Sequence, residues 1–183
     1  RQFTQCDVDV VGSSSMAADA EIIALIYVAF SKHNKEVIIK VNSRKLLNEI
    51  LDDNKISEKN KSQVLREIDK YDKLSEKEVK DNLKKLGAEK VVDSLKKGEK
   101  YFSKFDGYKD VISLMEYCKT YGIKVVFSPT IVRGLSYYNG NVFEIKTEGI
   151  KETIVGGGSY MIEGFQSTGL SFGLERLCVL AKL

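Results

Sequence analysis

Polar and apolar residues alternate from Phe3 to Val11. Phe3, Gln5, Asp7 and Asp9 share one face and Thr4, Cys6, Val8 and Val10 the other, a pattern that predicts a strand. The period then lengthens: Ile22, Ile26 and Ala29 form one stripe of a helix over Ala17–His33, and the Val-Ile-Ile run in Glu36–Val41 predicts a short buried strand. From Asn42 to about Phe105 the pattern predicts charged helices and no strand. One of these helices opens with the capping box Ser75-x-x-Glu78, stapled by Leu74 and Val79, and stops at Gly87; Val79, Leu83 and Leu86 are its apolar stripe. A helix over Tyr108–Tyr121 follows, with Val111, Leu114, Met115 and Cys118 on one face and Gly122 at its end. Beyond it come a strand over Ile123–Phe127, an extended run from Pro129 to Tyr138, and a hairpin turn at Asn139-Gly140. Strands over Asn141–Lys146 and Thr153–Val155 are expected around a turn at Glu148-Gly149. A strand through Ser171 then enters a last helix carrying Leu174, Leu177, Cys178 and Lys182. Hairpins dominate, so the sheet is expected to be largely antiparallel and the class α+β. The chain divides into a first part of the core (1–42), a helical insertion (43–106) and a second part of the core (107–183).

Composition narrows the chemistry more than the fold. With 183 residues, 43% hydrophobic and 30% charged, the chain fits one domain carrying an insertion. Its longest apolar stretch, around Ile22 to Phe30, is far too short to span a bilayer, and no secretory pattern opens the sequence. Cys6, Cys118 and Cys178 lack CxxC spacing, which argues against a disulfide framework or a zinc site and fits a cytoplasmic protein. His33 is the only histidine and reads as a solvated residue, so a histidine-based triad is unsupported. Net charge is only +3, but Lys55 to Lys100 holds 14 Lys and Arg against 10 Asp and Glu, a local +4. Such a segment is most often a solvated helix face; the functional alternative is contact with a phosphate backbone.

Nine of the fourteen glycines lie from Gly134 onward, seven of them in three blocks. These are Arg133-Gly134-Leu135-Ser136-Tyr137-Tyr138-Asn139-Gly140, Gly156-Gly157-Gly158-Ser159-Tyr160, and Gly169-Leu170-Ser171-Phe172-Gly173-Leu174-Glu175-Arg176-Leu177. Glycine lets a backbone approach a ligand closely, and arginines and tyrosines stand among these glycines, which together suggest a pocket for something small and anionic. No P-loop or dinucleotide fingerprint is present, and no cluster has zinc-ligand spacing. Arg133 and Arg176 remain as fixed cations beside a phosphate, although each taken alone reads more readily as a structural ion pair. Gly156 to Gly158 alone reads as a bulge or tight turn. Tyr137 and Tyr138, being adjacent, would face opposite sides of an extended chain.

Their joint order along the chain resembles the catalytic domain of the histidyl-tRNA synthetases, a class II aminoacyl-tRNA synthetase family. Arg1-Gln2-Phe3-Thr4-Gln5-Cys6-Asp7-Val8-Asp9 is similar to the end of motif 2. Arg133-Gly134-Leu135-x-Tyr137-Tyr138-x-Gly140-x-x-Phe143-Glu144 is similar to the family's histidine-specific block, Gly156 to Tyr160 to its glycine-rich floor, and Gly169 to Leu177 to motif 3. The likeness covers nearly the whole chain, including an inserted helical domain. It implies an antiparallel sheet flanked by helices, and the reaction of L-histidine with ATP, accompanied by Mg2+, and then with tRNA(His). Phe3 would stack on adenine and Arg176 would meet the distal phosphates. Gln5 would hold the amino group, and Asp9 and Tyr138 the imidazole. Arg133 would lie beside the carboxylate and α-phosphate, as the catalytic cation. Tyr137, Gly156, Gly157 and Gly158 would complete the histidine pocket, and no protein-held metal is implied. The insertion would touch the acceptor arm, and the full-length protein would be a homodimer without membrane contact.

The family usually has Asp at Ser136, Arg at Ser159 and Asp at Met161. Motif 1, the upstream arginine of motif 2 and the anticodon-binding domain are not in the sequence, so it reads as a piece of a larger enzyme, inactive by itself. A competing reading is a non-catalytic homologue: a histidine-sensing regulatory subunit or an RNA-binding pseudo-synthetase domain. Arg133 and Arg176 count against it, and so do the inserted helices, which the regulatory relatives lack.

Overall fold

The structure is a computed structural model that describes residues 3–32, 37–133, 137–147 and 153–181. The sequence expectations at Arg1-Gln2, His33, Ser136, the Glu148-Gly149 turn and Lys182 lie outside these residues. In chain order the elements are β1 (Gln5–Val11), α1 (Met16–Ser31), β2 (Val37–Ser43), α2 (Arg44–Asp53), α3 (Glu58–Ile68), α4 (Glu76–Lys84), α5 (Lys90–Leu95), α6 (Glu99–Phe102), α7 (Asp106–Thr120), β3 (Val125–Phe127), β4 (Tyr138–Thr147), β5 (Val155–Ile162), β6 (Phe165–Gly173) and α8 (Leu174–Ala181). The α+β class holds.

Six strands form one sheet in the order β1-β6-β5-β4-β2-β3, antiparallel except for the parallel pair β2 and β3. That pair is joined through α2 to α7, since a parallel neighbour needs a crossover rather than a hairpin. Helices α1 and α7 pack side by side against one face. Ile22, Ile23 and Ile26 of α1 and Val111, Leu114 and Cys118 of α7 join Ile39, Val41, Phe143 and Ile145 of the sheet in one core. Each fully buried isoleucine contributes about 1.5–3 kcal/mol of transfer free energy. On β1 this core takes Val8 and Val10, which leaves Gln5, Asp7 and Asp9 on the open face, as the alternation requires.

Helices α2 to α6 bury Leu46, Ile50, Val64, Ile68, Val79, Leu83 and Val92 in the same cluster. The capping box forms as expected: the Ser75 hydroxyl accepts from the Glu78 N–H and Glu78 accepts from the Ser75 N–H, an arrangement worth about 1 kcal/mol. Gly87 and Gly122 have φ of +67° and +71° just after their helices.

Two local expectations are corrected. Asn139-Gly140 is no hairpin turn: β4 runs straight through it, and the β4–β5 register shifts between Tyr138 and Val142. The dipeptide occupies an irregularity inside a strand, where the Asn139 and Gln166 side-chain amides bond to each other. The tight turn is instead Glu163-Gly164 between β5 and β6, with both φ positive (+47° and +84°), the geometry that suits the right-handed twist of a two-residue hairpin. The run after Pro129 is not extended from its start. Ser128 to Ile131 is a turn closed by Ile131 N–H donating to Ser128 C=O at 3.1 Å, with proline at the second position that its fixed φ favours.

Candidate functional site

Glycine makes the floor of the site possible. Gly156 is the second residue of β5, opposite Glu144 on β4 and Ser171 on β6. A Cβ on Gly156 would lie 2.3 Å from Cζ of Arg133, so the guanidinium rests flat on bare backbone. Gly169 does the same for Asp9, whose Oδ1 would be 1.8 Å from a Cβ there. The triple glycine is therefore a flat strand floor rather than the turn that the run suggests alone. Its members differ: Gly156 lines the open face, Gly157 turns toward the buried Phe143 ring, and Gly158 lies beneath the Tyr138 ring.

Arg133 is held from several sides. Asn42 at the end of β2 donates to the carbonyls of Pro129 (3.2 Å) and Ile131 (2.8 Å), which pins the segment leading to it. Its φ of +55° lies in the left-handed region, a strain of about 1–2 kcal/mol for a residue with a Cβ. Its NH1 donates to Glu144 Oε1 at 3.1 Å, and Glu144 Oε2 accepts from the Thr153 hydroxyl at 3.0 Å. The buried Nε has no partner among the described residues, so a donor is left for a ligand. Asp69, at the end of α3, is raised above the usual carboxylate range by burial and by the charge of Glu144, with Arg133 opposing. The helical segment thus reaches the edge of the site.

Two adjoining clefts share Gln5, Arg133, Gly156 and Ser171. The first, about 470 Å³, also holds Asp7, Asp9, Tyr137, Tyr138, Tyr160 and Gly169. Asp9 accepts a 2.6 Å hydrogen bond from the Tyr160 hydroxyl, and burial together with that carboxylate pushes Tyr160 up to about 12. Tyr138 is buried, and desolvation holds its hydroxyl protonated far above neutral pH. The opposed orientation expected of Tyr137 and Tyr138 does not occur. Tyr137 precedes β4 in a turn, and the two rings lie 4.6 Å apart with hydroxyls at 3.4 Å. Gln5 donates to the Ser171 hydroxyl at 2.6 Å. The second cleft, about 560 Å³, holds the exposed Phe3 ring, Arg176, Glu175 and Thr153. Arg176 donates to the Thr153 carbonyl, and Glu175 accepts from Thr4 N–H at 2.7 Å, which ties the start of α8 to the start of β1.

The arrangement offers a carboxylate–tyrosine pair for a polar ring, a fixed cation at the junction, and an aromatic ring with a second cation beyond it. A family model described as histidyl-tRNA synthetase matches residues 1–177. The chain belongs to the histidyl-tRNA synthetase family. It is 33% identical over 204 residues to histidine–tRNA ligase 1 of Bacillus cereus, covering 96% of this chain and 48% of that protein. It is 35% identical over 164 residues to the histidine–tRNA ligase of Nanoarchaeum equitans, covering 87% and 39%. The crystal structure of histidyl-tRNA synthetase from Nostoc sp. superposes with a TM-score of 0.86 at 27% identity, over 98% of this chain and 50% of that one. A Bacillus halodurans structure titled as an ATP phosphoribosyltransferase regulatory subunit/histidyl-tRNA synthetase has the same fold, with a TM-score of 0.81 at 22% identity, over 98% and 53%, so the inserted helices do not by themselves separate this chain from a regulatory subunit as the sequence suggested. The chain spans about half the length of these relatives.

All the site residues expected from the sequence except Gly157 and Gly158 line one or both clefts. Sequence reasoning missed Tyr160, Glu144 and Gly169 as working parts. Tyr160 and Glu144 were visible as the polar ends of their blocks; Gly169 needed the β1–β6 register that sets it opposite Asp9. The departures fall on either side of the sheet. Met161 lines the first cleft, while Ser159, where the family usually has arginine, points to the other face and donates to the buried Asp19.

Proposed function

We propose that the protein carrying this chain is a histidine–tRNA ligase that activates L-histidine with ATP and transfers it to tRNA(His). The single observation that carries this reading is the convergence of Gln5, Asp9, Arg133 and Tyr138 on one cleft that shares Arg133 with the cleft of Phe3 and Arg176. Asp9 and Tyr138 would take the two ring nitrogens, so an apolar analogue would leave the buried Tyr138 hydroxyl and the Asp9 carboxylate without those partners. Gln5 would hold the amino group. A carboxylate oxygen of histidine attacks the α-phosphorus in line, that bond forms as the bond to pyrophosphate breaks, and Arg133 stabilises the charge gathering on the phosphoryl oxygens. Phe3 would stack on adenine and Arg176 would meet the leaving phosphates. Mg2+ would arrive with the nucleotide, and Glu175 has the oxygen donors that suit it. The 3′-terminal hydroxyl of tRNA then takes the histidyl group. The surface of α3 to α5 would contact the acceptor arm, in a homodimeric cytoplasmic protein; the free thiols of Cys6, Cys118 and Cys178 suit that compartment.

Histidine-dependent ATP–pyrophosphate exchange by the full-length protein tests the reading. Arg133→Lys keeps the charge but loses the planar fork, and should slow exchange by about 10²–10³-fold. Histidine binding with no exchange in the parent protein would instead support a regulatory, non-catalytic subunit. A rate for Arg133→Lys within a few-fold of the parent would remove Arg133 from the chemistry.

A further inference from the structure

On the face of β5 opposite the glycine floor lies a second polar cleft, about 190 Å³, between the start of α1 and strands β4 to β6. Ser15, Asp19, Asp110, Asn141, Ser159 and Gln166 are among its walls. Asp19 is only 5% exposed, yet it carries a carboxylate. Its described partners are neutral donors: Asn141 Nδ2 at 2.7 Å, the Ser159 hydroxyl 3.0 Å from each oxygen, and the buried Thr168 hydroxyl beside it. Two hydroxyls and one amide N–H still leave one of the carboxylate's roughly four acceptor sites without a donor. Asp19 also stands in the first turn of α1, where the helix dipole favours the ionised form. None of the ion pairs among the described residues involves it, whereas Asp110 at the same cleft is paired with Lys45 at 3.2 Å.

Asn141 supplies the second, independent sign. It is 1% exposed and lines the cleft. Its amide N–H groups face Asp19 and the sulfur of Met16 (2.9 Å), and its Oδ1 has no partner among the described residues. A buried carbonyl and a buried carboxylate, both short of donors, therefore meet at one small cleft. A buried anion is stable only when paired or fully hydrogen-bonded. No group of three or more Asp, Glu, His or Cys among the described residues could hold a metal ion.

We propose that this cleft binds a small monovalent cation bearing several N–H donors, of the ammonium or guanidinium class, through Asp19 and Asn141. Its charge offsets that of Asp19, and its N–H groups satisfy Asn141 Oδ1 together with the free lone pair of Asp19. The site is separate from the catalytic clefts, because Ser159 and Gly156 project to opposite faces of β5.

The test is thermal unfolding of the protein in ammonium chloride against equal concentrations of tetramethylammonium chloride, a cation with no N–H. Ammonium should raise Tm saturably by about 2–4 °C at concentrations a few times Kd, and tetramethylammonium should not. In Asp19→Asn the ammonium response should vanish. If that variant does not fold, Ser159→Lys decides: it tethers an ammonium beside Asp19, so Tm should rise in plain buffer and the response to added ammonium should disappear. Equal responses to the two salts would overturn the proposal, since water alone would then fill the cleft. An ammonium response that survives in either variant would also overturn it.

Discussion

Gly156→Ala isolates what the glycine floor does, because the three atoms nearest the new methyl group all belong to one side chain, that of Arg133. A Cβ at this position would sit 2.3 Å from Cζ and 2.4–2.5 Å from both terminal nitrogens of Arg133, against 3.4 Å for the closest ordinary contact. The guanidinium must therefore retreat by about 1 Å, and a misplacement of that size costs on the order of 10²-fold in rate where orientation is the catalyst. The backbone does not object: Gly156 is regular strand, where alanine is better than glycine by about 0.5–1 kcal/mol. That gain offsets part of what is lost if the Arg133–Glu144 pair loosens. The variant should fold with nearly unchanged stability and lose about 10²-fold in histidine-dependent pyrophosphate exchange. Gly157→Ala is the control, because its Cβ would meet the Gly169 carbonyl at 2.2 Å and the fully buried Phe143 ring at 2.5 Å. Overpacking there should cost about 1–3 kcal/mol or more of stability. A double-mutant cycle with Arg133→Ala completes the test, since two changes acting through one group are not additive. Exchange by Gly156→Ala within a few-fold of the parent would refute the reasoning. An undiminished effect of Gly156→Ala in the Arg133→Ala background would refute it as well.

Asp9→Asn and Tyr138→Phe should each weaken histidine binding by about 1–3 kcal/mol in calorimetry, and unchanged affinity in both would remove the imidazole assignment. Lys84 and Lys85 are exposed on the helical segment. Reversing both to Glu should spare pyrophosphate exchange, impair charging, and make the salt dependence of tRNA binding shallower by roughly two units of slope; charging at the parent rate would leave the segment a solvated face. Burial raises Asp19 above its ordinary value of 3.8, with hydrogen bonds from neighbours opposing. Its contribution to stability is therefore complete below that value and lost as pH rises through the folded value. Urea unfolding of the parent and of Asp19→Asn should show the parent losing stability relative to the variant as pH rises above about 4. A difference that is flat or grows with pH would contradict the sign.

Periodicity carried the elements well where a single rule governed them. The strand of Gln5 to Val11 has one side against α1 and one side open, so period-two alternation survives intact and already separates Gln5, Asp7 and Asp9 from Val8 and Val10. The helix at Glu76 was visible from its cap, because the capping box is local chemistry that neighbours do not alter. Asn139-Gly140 failed for the opposite reason. A turn dipeptide signals only that positive φ is cheap there, and the chain is instead held on either side of it, by Tyr138 paired with Tyr160 and by Val142 onward paired with both β2 and β5. The unremarked Glu163-Gly164 made the turn because the strands around it, Ile162 to Phe165, were already in register.

The site was readable in its residues but not in its reason for being glycine-rich. Conformational freedom is the property most readily attached to a glycine run, and it suggested a bulge or turn at Gly156 to Gly158. Gly156 and Gly157 do not need it to make the floor, and only Gly158, with φ of +159°, uses it. Gly156 is bare because a guanidinium lies on it, Gly157 because a carbonyl and the Phe143 ring press on it, and Gly169 because the Asp9 carboxylate does. All are close approaches, set by which strands neighbour β5 and in what register, and sequence order does not contain that information. The same dependence explains why Glu144 and Tyr160 were seen only as the polar ends of blocks. Each acts through one partner, Arg133 or Asp9, lying 11 and 151 residues away along the chain. The charges that would do the chemistry can be read from the chain; what aims them is a property of the sheet.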